Sequence, residues 1–90
     1  MMQVCQTTAT GTMTNAGTST TTCDDVPSRL VYFYVPSANT SDVTITSPGG
    51  TVGIVVAKGT CSPTFWISNL NQMAYKLGTA NDSVVYLVQR

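Results

Sequence analysis

The chain has 90 residues, sixteen of them threonine, with no histidine and a formal net charge of zero from four cations and four aspartates. Charged side chains make up 9% of it, against about 25% in an ordinary soluble domain, so a subunit held inside a larger assembly suits the composition better than a free monomer does. The cations Arg29, Lys58, Lys76 and Arg90 are scattered, which argues against nucleic-acid binding, and without histidine no acid-base catalyst near neutral pH is evident, so no enzymatic activity is expected.

The length fits one domain with one core. The opening Met1-Met2-Gln3-Val4-Cys5 has neither the basic region nor the continuous apolar run of an export signal. The longest apolar run, Leu30 to Val35, is the length of a strand, so no membrane contact is expected.

From Thr7 to Thr22 the sequence reads TTATGTMTNAGTSTTT, with nine threonines in sixteen positions and Met13 as its one large apolar residue. Low hydrophobicity favours a disordered polar arm, whereas the Thr-x-Thr alternation favours extended strands. A turn at Asn15-Ala16-Gly17 could fold TGTMT on TSTTT as a polar hairpin. Residues 1–25 are therefore expected to form an extended arm or hairpin ordered by neighbouring chains, and residues 26–90 the body. Thr10, Thr12, Thr14, Thr18 and Thr20 are the arm's candidate partner contacts.

Asp24-Asp25-Val26-Pro27-Ser28 ends the arm. Leu30 to Val35 is apolar on both faces, as in a central strand covered on both sides, and Pro36 stops it. Asp42 to Thr46 alternates, with Val43 and Ile45 inward. Ser47-Pro48-Gly49-Gly50 fits a type II turn with Gly49 at the position of positive φ, and Thr51 to Ala57 returns with Val52, Ile54 and Val56 on one face.

After the loop Lys58 to Pro63, Thr64 to Ile67 puts Phe65 and Ile67 on one face and Trp66 on the other. Asn69 to Gln72 can make one helical turn. Met73 to Leu77 alternates again, and Val84 to Val88 is a last β-branched strand. Six or seven short strands and no longer helix predict an all-β fold, a small antiparallel sandwich or jelly-roll-like domain.

Candidate chemical groups are few. Adjacent Asp24 and Asp25 point to opposite sides of an extended segment and cannot supply the six or more oxygens that calcium takes. Cys5, Cys23 and Cys61 lack CxxC spacing and histidine partners, so no zinc site, other metal or cofactor is expected. Three reduced thiols are favoured over one bridge and a spare thiol. The Gly49-Gly50 stretch lacks the Gly-Lys-Ser/Thr of a phosphate loop. The strand aromatics read mainly as core, with Trp66 the candidate for an exposed contact.

Residues 29–89 resemble a small β module of tailed-phage virion proteins of the capsid-decoration, head-fibre or neck-attached kind. The resemblance is carried by the strand RLVYFYV, by Asn39-Thr40-Ser41-Asp42-Val43-Thr44-Ile45, by the phrase Phe65-Trp66-Ile67-Ser68-Asn69-Leu70-Asn71-Gln72, and by the ending Gly78-Thr79-Ala80-Asn81-Asp82-Ser83-Val84-Val85-Tyr86. It implies a β-sandwich and a non-enzymatic capsid decoration or cement subunit, assembled in the host cytoplasm and located on the virion surface. The implied partners are capsid or other virion proteins, together with further copies of itself. The alternative is a surface- or carbohydrate-recognition module using Trp66 and neighbouring tyrosines.

Overall fold

The computed structural model describes residues 8–89. Eight strands form two four-stranded antiparallel sheets: β1 Thr8–Thr14, β2 Thr21–Thr22, β3 Leu30–Tyr34, β4 Val43–Thr46, β5 Gly53–Val56, β6 Phe65–Trp66, β7 Ala74–Leu77 and β8 Ser83–Gln89. The first sheet has the order β1-β8-β3-β6 and the second β2-β7-β4-β5. These two interlocking orders are those of a jelly roll, in which the chain passes repeatedly between the sheets. The all-β sandwich expected from the strand pattern is the observed architecture.

The core lies between the sheets and follows the period-two alternation of the strands. Val31 and Phe33 on β3, Val43 and Ile45 on β4, Tyr75 and Leu77 on β7, and Val84, Tyr86 and Val88 on β8 all point into it. The link between β6 and β7 contributes Ile67, Leu70 and Met73. Leu70–Gln72 is the anticipated single turn, of 3-10 type, capped by Asn69, whose side chain accepts from the Asn71 N–H at 3.0 Å. Gln72 Oε1 reaches back to accept from the Asn69 N–H at 3.1 Å, so the two side chains satisfy amides at the start of the turn reciprocally.

At Ser47–Gly50 the Gly50 N–H donates to the Ser47 carbonyl at 2.9 Å, and Gly49 has φ +88, as the type II turn requires. Strand β5 begins only at Gly53, so Val52 falls outside the ladder and is exposed.

The segment expected to be an arm is built into both sheets. Strand β1 pairs with β8 along its whole length, from Thr8↔Gln89 to Thr14↔Ser83, and β2 pairs with β7 at Thr21↔Tyr75 and Thr22↔Ala74. The two threonine strands do not form a hairpin with each other. Residues 15–20 carry the chain from one sheet to the other, held by an Asn15 Nδ2 donation to Thr21 Oγ1 at 2.7 Å. Met13 and Cys23 lie in the core at 3% and 4% exposure. At Gly11 the inward side chain is absent because β8 supplies the bulk: Tyr86 lies opposite, over the space a side chain would take.

Candidate functional site

The outer surface offers two kinds of feature, unpaired sheet edges and sheet faces of unequal character. Among the described residues β1 pairs only with β8 and β5 only with β4, so each leaves one side of its backbone unpaired. The other two edge strands, β2 and β6, are two residues long. Natural edge strands are commonly blunted by lysine, proline or a bulge. Strand β1, TATGTMT, contains no charge or proline, and its register with β8 runs without interruption. Strand β5, GIVV, is equally bare and presents Val55 at 67% exposure.

The first sheet contains no Asp, Glu, Lys or Arg on any of its four strands. Its outward face carries Leu30, Tyr32 and Tyr34 on β3, Val85 and Leu87 on β8, all half-buried, and Trp66 on β6 at 74% exposure. Register places them in rows: Trp66 beside Leu30, Tyr32 beside Leu87, Tyr34 beside Val85. The second sheet's outward face is different, with Thr44 and Thr46 on β4 flanked by Ala74 and Lys76 on β7.

Of the candidate contact residues, Thr10, Thr12 and Thr14 are exposed on the outward side of β1, in line along one edge of the uncharged sheet. Thr18 and Thr20 are exposed too, but in the link between β1 and β2. Trp66 belongs to the opposite edge strand of the same sheet, three strand spacings from β1, or roughly 14 Å. The candidates therefore do not converge on one point; they bound one sheet from two sides. The residues between them were missed because LVYFYV reads as a strand covered on both faces, whereas only its inner face is covered.

Cys23 and Cys61 are free thiols, the first buried and the second exposed. Burial pushes the Cys23 thiol up to about 12, with the nearby Asp24 charge acting in the same direction, the opposite of what a nucleophilic thiolate needs. Cys5 lies outside the described residues. Among the described residues no three His, Cys, Asp or Glu side chains come together as a metal site.

No family model matches the chain, and no curated protein does. Among solved structures it is similar to a chain from Bacillus endospore appendages, described as a novel family of disulfide-linked pili. That distant likeness has 19% identity and a TM-score of 0.42, and it covers 99% of this chain and 97% of the other.

This finding corrects the expectation of a phage capsid-decoration subunit on the virion surface. The similar chain belongs to a spore appendage, not to a virus particle. The carbohydrate-recognition alternative gains no support from it either.

Proposed function

We propose that the chain is a non-enzymatic structural subunit that polymerises with copies of itself by pairing sheet edges. The observation that carries this reading is the seven-residue, uncharged, proline-free edge of β1. Such an edge offers a row of backbone donors and acceptors to another strand, and a partner strand gains main-chain hydrogen bonds without needing a large interface.

Strand β5 is the other open edge of more than two residues. Strand β1 lies on the same flank as β2, to which it is tied through Asn15 and Thr21, and β5 is at the far end of the second sheet from β2. The two open edges thus face away from each other. Pairing β1 of one copy with β5 of the next is a head-to-tail contact, which propagates into a filament unless its rotation closes a ring. The low charge of the chain fits this role, because subunits joined along their length gain nothing from mutual repulsion.

Negative-stain electron microscopy and light scattering of the purified chain test the reading, with Val52→Lys/Val55→Lys as the edge-blocked variant. Both valines are exposed, so the fold should survive, as circular dichroism would check. Wild-type polymers that disappear in the variant support edge pairing. A wild type that stays monomeric at high concentration, or a variant that polymerises equally well, refutes it.

A further inference from the structure

We propose that the outward face of the first sheet is a second, separate self-contact surface, packing face to face on the same face of another copy. Six apolar side chains, Leu30, Tyr32, Tyr34, Trp66, Val85 and Leu87, adjoin across three neighbouring strands. In a two-sheet fold each sheet needs cover on one face only, and the other face is ordinarily polar. The second sheet follows that rule in its centre, with Thr44, Thr46 and Lys76, and carries one large apolar side chain, Val55, at its edge. The first sheet does not.

Charge selects the occupant. Not one strand residue of this sheet is charged, so a partner presenting ionised groups would have them desolvated with nothing to pair them. A second copy brings the same uncharged, aromatic surface. Around a two-fold axis the patch meets itself. Two such sheets stack at about 10 Å, the spacing of sheets within a sandwich.

Area sets the strength. Strands β3 and β8, about 4.8 Å apart and at least five residues long, with the two residues of β6 beside them, give a patch of roughly 200 Å² per partner, rising to about 300–400 Å² with the polar rim. A stable dimer buries about 800 Å² per partner, so the isolated face contact is weak, with a dissociation constant on the order of 0.1–1 mM. Repetition along a polymer would turn that into firm lateral bundling.

This inference shares with edge pairing the identity of the partner and nothing else, and the two fail separately. Sedimentation velocity and two-dimensional amide NMR of the Val52→Lys/Val55→Lys variant, from about 10 µM to 1 mM, read the face contact with the β5 edge blocked. The expected result is a concentration-dependent dimer. Its shift changes should centre on Leu30, Tyr32, Tyr34, Trp66, Val85 and Leu87, and adding Trp66→Thr/Leu87→Thr should weaken it at least about tenfold. Should Leu87→Thr impair folding, Trp66→Thr/Tyr32→Thr serves in its place. A monomer throughout, a dimer indifferent to these substitutions, or shift changes on other surfaces would overturn the proposal.

Discussion

Gly11 shows how the packing of one residue dictates another. A Cβ on Gly11 would lie 2.6 Å from Cζ of the Tyr86 ring, the residue opposite it on β8, and Tyr86 is itself buried beside Phe33 on the next strand. A glycine inside a strand ordinarily weakens it, and alanine would be the better residue by about 0.5–1 kcal/mol. Here the sign reverses, because the ring cannot retreat into a filled core. Gly11→Ala should destabilise by about 1–3 kcal/mol, the usual range for overpacking. In a Tyr86→Val background, where the ring is gone, the same change should cost little. Urea denaturation of the four-member cycle measures the coupling, and additive effects would show that the ring is not what excludes the side chain.

At the scale of elements, the loop after β3 is held to the turn before β8 by side chains acting as backbone. Asp82 accepts from the Thr40 N–H at 3.0 Å and from the Ser41 N–H at 2.9 Å. Asn39 exchanges a pair of hydrogen bonds with the Ser83 backbone, at 2.7 and 3.1 Å. Asp82 and Asn39 are both buried, and removing the carboxylate leaves the amides of exposed Thr40 and half-buried Ser41 without a protein partner. Asp82→Ala should cost about 1–3 kcal/mol and should speed hydrogen exchange at Thr40 and Ser41 before it speeds exchange in the strands. Uniform acceleration across the molecule would instead make the clamp inseparable from global unfolding.

This same scale shows what the sequence made legible. From Leu30 onward the strands were legible in local pattern, Asp42–Thr46 and Met73–Leu77 by alternation, Leu30–Val35 and Val84–Val88 as apolar or β-branched runs, and Asn69–Gln72 as a single turn. Before Leu30 they were not. The inward positions of β1 are Ala9, Gly11 and Met13, and with only one large residue among them they do not read as a buried face. The glycine at position 11 has meaning only beside Tyr86, 75 positions further on in the chain. Pairing of Thr8 with Gln89 is likewise invisible to any local window. The uncovered face was hidden for the opposite reason: Leu30, Tyr32 and Tyr34 look like core residues, and their sequence does not tell which layer will meet them. For the candidate site, the Thr-x-Thr alternation located the outward threonines of β1 and the Phe65-Trp66-Ile67 pattern located the exposed indole. The sheet joining them became apparent only from topology.

For the molecule as a whole, the buried thiol between the sheets links stability to pH. Cys23 has its proton affinity raised by burial first and by Asp24 second, from 9.0 to about 12. Tyr75 shifts in the same direction, through burial and then the nearby Cys23 and Asp24. A raised folded-state value means that the native protein holds these protons more tightly than the unfolded chain does. Their contribution is therefore complete below about pH 9 and is lost as pH climbs from there towards 12. The denaturation midpoint should fall steadily over that window. Cys23→Ala should flatten the fall while lowering stability at neutral pH, where it leaves a cavity. Thiol labelling with peptide mapping reports the same opening directly. Exposed Cys61 should react under native conditions, whereas Cys23 should react only at the rate at which the sheets separate. If Cys23 labels as fast as Cys61 at pH 8, the sheets part locally at that flank and the alkaline transition cannot be assigned to the core as a unit.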